Sequence, residues 1–130
     1  MSTRTWIGFD LDGTLAHFES WQGPEHIGAP IQPIVDIAKQ YLSCGVTVKI
    51  LTARVCSQAS EEERELATNA IKAWCKKHLG QELEVTSEKD FYMTECYDDR
   101  SIQVEYNTGR LIMDANFLDD ERRNKLGSSK

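Results

Sequence analysis

Trp6-Ile7-Gly8-Phe9-Asp10-Leu11-Asp12-Gly13-Thr14-Leu15 is the stretch from which the fold can be read. Its first four residues form a short, nearly continuous apolar run, the pattern of a strand covered on both faces. Two acids follow at once, separated by Leu11, and Gly13 supplies a residue free to turn. A buried strand that ends in acids places them at the carboxyl edge of a sheet, where open parallel sheets gather their ligands.

Reading outward, residues 16–33 lack periodicity and are broken by Gly23-Pro24, Gly28, Pro30 and Pro33, which describes an irregular flap. A helix is expected from Pro33, with Ile34, Ile37, Ala38, Tyr41 and Leu42 on one face and Gly45 ending it. Val46 to Leu51 reads as a second strand, closed by Thr52. Ser60 and Glu63 form a capping-box pattern for a second helix. Its apolar face is Ala67, Ala70, Ile71, Trp74, Cys75 and His78, and Gly80 stops it. The acids Glu61 to Glu63 lie in its first turn, where the helix dipole favours negative charge. Leu83 to Val85 and Thr94 to Tyr97 are expected as strands three and four, the latter running into Asp98-Asp99. A short helix is expected over Ser101 to Glu105. Asn107-Thr108-Gly109 then turns into a fifth strand, Arg110 to Met113, although a β-hairpin across 102–112 fits nearly as well. An amphipathic helix over Phe117 to Lys125 and a frayed tail at 127–130 complete the expectation. Strands alternating with helices predict an α/β fold with a parallel sheet, in a single domain over 1–126.

The composition sets limits. In 130 residues, 40% apolar and 28% charged, one domain is expected and disorder is excluded. A net charge of −6 disfavours a general nucleic-acid surface but leaves room for a local basic site. No apolar run approaches the roughly 18–20 residues of a membrane span. The start, Met1 to Thr5, carries no signal-peptide core, so a cytoplasmic protein is expected. Cys44, Cys56, Cys75 and Cys96 show neither Cys-x-x-Cys nor zinc spacing and read as buried or half-buried thiols.

With strand ends at Asp10, Thr52 and Asp98-Asp99, and Lys89 between strands three and four, the topology gathers acids, a hydroxyl and an ammonium at one edge. Acids that close repel unless a cation lies between them, and oxygen ligands suit magnesium. A phosphate ester completes the set. Lys89, Thr52 and the backbone amides of Asp12 to Thr14, with Gly13 allowing close approach, are its candidate binders. Asp10 is then placed to attack phosphorus, and Asp12 to exchange a proton with the leaving oxygen and with water.

These residues resemble the haloacid dehalogenase-like (HAD) superfamily. The carriers are Asp10-Leu11-Asp12-Gly13-Thr14-Leu15 after an apolar strand, Ile50-Leu51-Thr52, Lys89 and Asp98-Asp99, in the family's order. The resemblance implies a three-layer sandwich around a Rossmann-like parallel sheet. It implies Asp10 as nucleophile and Mg2+ ligand, and Asp12 as general acid/base with its carbonyl on the metal. It further implies Thr52 and Lys89 as phosphate binders, Asp98 as a direct metal ligand and Asp99 as an indirect one. An aspartate two residues after the nucleophile resembles the phosphatases and phosphomutases. The family often has Lys-Pro where this chain has Lys89-Asp90, and Lys76 and Lys77 are rivals for the lysine role.

The short intervals after strands one and three leave no room for a cap domain, which implies an open site and disfavours a phosphomutase. An open site suits a bulky substrate, or a neighbouring subunit in a homodimer. Arg54 and Arg100 are candidate substrate contacts, balanced against salt bridges to the surplus acids. The Thr86-Ser87-x-Lys89 and Asp98-Asp99-Arg100 segments resemble small phage and bacterial members, and the second resembles the phosphatase half of polynucleotide kinase-phosphatases. A polynucleotide or nucleotide phosphatase is therefore the alternative within the family. His17, Phe18, Trp21 and His26 are read as loop anchors before base-stacking groups, and Trp74 as core. Two further classes are a binding-only HAD-like module and a receiver-type phosphoacceptor. In receivers the acidic pair at the first strand is not split as it is here by Leu11.

Overall fold

The computed structural model describes residues 4–112. The chain divides into two compact units, Met1–Asp99 and Arg100–Lys130. The expected helix over Phe117 to Lys125 and the tail at 127–130 lie outside the described residues.

The first unit runs β1 (Trp6–Phe9), α1 (Gln32–Ser43), β2 (Val48–Leu51), a 3₁₀ turn (Ala53–Val55), α2 (Glu61–Leu79), β3 (Glu84–Thr86) and β4 (Met93–Tyr97). The strands form one sheet in the order β3-β2-β1-β4, and every pairing is parallel. Four parallel strands with two helices make an α/β arrangement. Both helical crossovers step the same way across the sheet, and right-handed connections then put both helices on one face. Ile7, Phe9, Val48 and Ile50 share one core with Val35 and Ala38 of α1 and Ala67, Ile71, Trp74 and Cys75 of α2.

β1 lies inside the sheet and all four of its residues are buried, as the apolar run requires. β2 begins two residues later than Val46, because the Val46 amide still donates to the Tyr41 carbonyl at 3.1 Å and closes α1. β3 is displaced by one residue from the expected Leu83 to Val85. α2 carries the full capping box, with the Glu63 amide donating to Ser60 Oγ at 3.1 Å and the Ser60 amide to Glu63 Oε1 at 3.0 Å. Gly80 ends it with φ 88°. No described helix is long and apolar enough to cross a membrane. Of the cysteines, Cys75 is buried and Cys56 half-buried, but Cys44 and Cys96 are exposed, against expectation.

The connection from β3 to β4 holds no helix. Residues 87–92 must pass two strands to reach the far edge. Three strand spacings of ~4.8 Å take ~14 Å of a reach of ~20 Å, so the path is nearly direct. It is pinned to β1. The Trp6 indole donates to Asp90 Oδ1 at 2.9 Å, the Tyr92 amide donates to the same oxygen at 2.8 Å, and the Trp6 amide donates to the Tyr92 carbonyl at 2.9 Å. Lys49 Nζ of β2 lies 4.8 Å from the centre of a Trp6 ring.

In the second unit, the helix expected over Ser101 to Glu105 and the strand at Arg110 are replaced by the hairpin alternative. Val104 and Leu111 form an antiparallel bridge. The Glu105 amide donates to Arg110 O at 2.7 Å and the Ile112 amide to Gln103 O at 3.1 Å. Ile102, Val104 and Tyr106 alternate with polar residues, a period of two that a helix cannot use. Asn107 (φ 61°) and Gly109 (φ 79°) make the turn.

The 16–33 flap is closed on itself and fastened to the turn after β1 and to α2. His17 N–H donates to Ala29 O at 2.8 Å, Ile31 N–H to Leu15 O at 2.7 Å, and the Trp74 indole to Gly28 O at 3.0 Å. A Cβ on Gly28 would lie 1.9 Å from the His17 carbonyl oxygen, which is backbone and cannot step aside. Gly28→Ala is therefore expected to lower stability by about 1–3 kcal/mol, read as a shifted urea midpoint. An unchanged midpoint would show that the flap does not seat on His17.

Candidate functional site

β1 delivers Asp10 to the carboxyl edge, and the Asp10 amide donates to Tyr97 O of β4 at 2.9 Å. The next six residues form a tight turn hung on Leu11 and Leu15, both fully buried. The Leu11 carbonyl accepts from the amides of Thr14 (3.3 Å), Leu15 (3.0 Å) and Ala16 (2.9 Å). Gly13 adopts φ 86°, a conformation that side chains disfavour. Its amide donates to Ala16 O at 2.8 Å. Gly13 and Thr14 thus spend their N–H groups inside the turn, and the phosphate cradle expected from Asp12 to Thr14 narrows to the Asp12 amide.

One carboxylate oxygen each from Asp10, Asp98 and Asp99 lies within 4.8 Å of the others. All three residues are half-buried. Thr14 ties the group together. Its hydroxyl lies 3.2 Å from Asp10 Oδ2 and 3.4 Å from Asp99 Oδ1, and accepts from the Asp99 amide at 3.1 Å. One hydroxyl proton serves one of the two carboxylates at a time. The β4 end that carries Asp98 and Asp99 is held by Tyr97, which stacks on Phe9 at 4.6 Å and meets the Tyr41 hydroxyl at 2.8 Å.

Burial pushes Asp10 up to about 7, aided by its hydrogen bond with Asp99 and the charges of Asp98 and Asp99, while Thr14 opposes. The donor set is all hard oxygen and crowded to the point of retaining a proton. It fits a small divalent cation such as Mg2+.

Asp12 stands apart from this trio. Both its oxygens accept from Arg54, Oδ2 from Nε and Oδ1 from Nη2, each at 2.8 Å. Arg54 is buried in the 3₁₀ turn after β2. Thr52 is also buried, and its hydroxyl oxygen accepts from the Arg54 amide at 3.2 Å, which leaves the hydroxyl proton for an incoming acceptor. The Thr52 amide is anchored on Thr86 O at 2.9 Å.

Lys89 is exposed in the 87–92 crossing. Its charge acts on the Cys96 thiol, which partial desolvation of the sulfur, Asp98 and Asp10 push up and Lys89 pulls down. Lys76 and Lys77 occupy the last turn of α2, which returns the chain to the amino ends of the strands, away from Asp10. Arg100 opens the second unit and is exposed. Sequence reasoning missed Thr14 as a side-chain partner; for Arg54 the salt-bridge reading is the one the structure shows, with Asp12 as the acid. The Thr in Gly13-Thr14 was visible, but its partner lies 85 residues away.

Compared with known proteins, the chain matches no family model, no curated protein and no solved structure.

A carboxyl raised in the folded state stabilises the protein below its unfolded pKa and loses that contribution as pH rises. For Asp10 the window runs from about 4 to about 7. Metal-free protein is therefore expected to melt lower at pH 8 than at pH 5, and Asp10→Asn to remove much of the difference. Added Mg2+ is expected to raise the melting temperature at pH 8 in the wild type and not in Asp98→Asn. Equal responses in both would count against a cation at this cluster.

Proposed function

We propose that the first unit is the catalytic core of a magnesium-dependent phosphomonoester hydrolase of the haloacid dehalogenase-like type. The observation that carries this reading is the division of the acids. Asp10 stands with Asp98 and Asp99 in a metal-ready trio, while Asp12, two residues on, is held separately by Arg54. A nucleophile and a proton carrier need such different surroundings. In this reading the sheet order β3-β2-β1-β4 belongs to a Rossmann-like core whose full form is a three-layer sandwich without a cap.

The side chains of Asp10, Asp98 and Asp99, with the Asp12 carbonyl, would hold Mg2+, which when bound supplies positive charge against the carboxylates and phosphoryl oxygens. The Thr52 hydroxyl and the Asp12 amide orient the phosphate, and Lys89 is assigned to its charge. An Asp10 oxygen forms a bond to phosphorus while the bond to the ester oxygen breaks. Asp12 gives its proton to the departing oxygen. Water then attacks phosphorus and passes a proton to Asp12. The bond between Asp10 and phosphorus breaks, releasing inorganic phosphate and restoring both carboxyl groups. Proton transfer contributes roughly 10²–10⁴-fold, and positioning with charge neutralisation supplies the remainder.

The test is phosphate release from a panel of aryl, sugar and nucleotide phosphates and 3′-phosphorylated oligonucleotides. Turnover is expected with Mg2+ and not with EDTA. Asp10→Asn is expected to abolish it, and Asp12→Asn to reduce it by roughly 10²–10⁴-fold. A folded wild type without turnover that still binds beryllium fluoride with Mg2+ would replace this reading by a binding-only module.

A further inference from the structure

Arg54 is a charged side chain with only 5% of its surface exposed. Nε and Nη2 grip the two oxygens of Asp12 at 2.8 Å, and Nη1 donates to the Pro24 carbonyl at 3.1 Å. The guanidinium carbon lies 5.0 Å from the centre of the Trp21 ring. Its contacts are thus one acid of the candidate site and two residues of the 16–33 flap. A group this covered has little surface left to clamp a substrate phosphate, which argues against the direct contact expected for it.

We propose that Arg54 is a positioning residue that presents Asp12 to the leaving group, seated in the flap by Pro24 and Trp21, so that flap and acid/base form one mechanical unit. The fork fixes the plane of the Asp12 carboxylate. Each oxygen keeps a second lone pair, so proton exchange does not require the pair to open. Lysine cannot reproduce this, because its ammonium is a point charge without a planar fork. The inference deepens the phosphohydrolase reading and, for its kinetic consequence, rests on it.

Two measurements test it. In the first, indole N–H resonances of the ¹⁵N-labelled protein are compared between wild type and Asp12→Asn. The Trp21 signal is expected to shift, while that of Trp6, bonded to Asp90, stays in place. An unmoved Trp21 signal overturns the coupling, whatever the activity.

In the second, first-turnover rates are measured on p-nitrophenyl phosphate, whose leaving group needs no proton, and on an alkyl phosphate, whose leaving group does. Arg54→Lys is expected to slow the alkyl ester by roughly 10²-fold, as loss of proton transfer would. The aryl ester should change far less, with KM held on both, and Arg54→Lys should add little to Asp12→Asn. Trp21→Leu, at a residue 55% exposed, keeps the fold and should give a smaller loss with the same substrate split. An equal rise in KM on both esters makes Arg54 a substrate contact and overturns the proposal. An equal loss of rate on both makes Arg54 merely structural and overturns it as well. A wild type that turns over neither ester removes the hydrolase reading and the catalytic part of this inference together. The indole comparison then decides the coupling alone.

Discussion

Repulsion among Asp10, Asp98 and Asp99 is the constraint on which the rest of the first unit depends. Oxygens within 4.8 Å at an effective dielectric near 20 repel by roughly 3–4 kcal/mol per ionised pair. A stacked aromatic pair such as Phe9 and Tyr97 offsets about 0.5–1.5 kcal/mol, and a hydrogen bond such as that between Tyr41 and Tyr97 about 1 kcal/mol. These supports fix where the β4 end sits but do not neutralise it. Burial and the neighbouring acids raise Asp10, so a proton there relieves part of the repulsion, and a bound cation would act in the same direction. A fold that holds three acids against their own repulsion has given up stability at that edge, a pattern associated with functional sites.

The parts that were legible in the sequence are those governed by neighbours in the chain. The apolar run at Trp6 to Phe9 became β1 without adjustment. The Ser60–Glu63 box and Gly80 bounded α2 because each cap is settled within four residues. The parts that were not legible are long-range pairings. Thr14 finds Asp99 across 85 residues and Arg54 finds Asp12 across 42. Residue type announces that a threonine or an arginine can bond an acid, but only the folded sheet says which acid. The hairpin at Val104–Leu111 was a contest between two local patterns, and alternation prevailed once Asn107 and Gly109 had taken up the turn.

The β3–β4 connection shows how a short chain crosses a parallel sheet. Such crossovers usually take a dozen or more residues and a helix, whereas residues 87–92 do it without a helix. Asp90 makes this possible. Its carboxyl, held below the usual range by the Trp6 indole and the Tyr92 amide, is the knot between the crossing and β1. The crossing gains its rigidity from these hydrogen bonds. Lys89 rides on this crossing and is exposed.

The flap has to be judged by its attachments. A lid that opens is drawn from the least stable part of a protein. Residues 16–33 are instead fastened by the Ala16–Pro30 bridge, by Trp74 on Gly28 and by Arg54 on Pro24. One bridge within the flap and two attachments, to α2 and to the 3₁₀ turn, hold it beside Asp12. Trp21 offers a large apolar face backed by a buried cation, and His17 and Glu19 lie paired and exposed nearby in the chain.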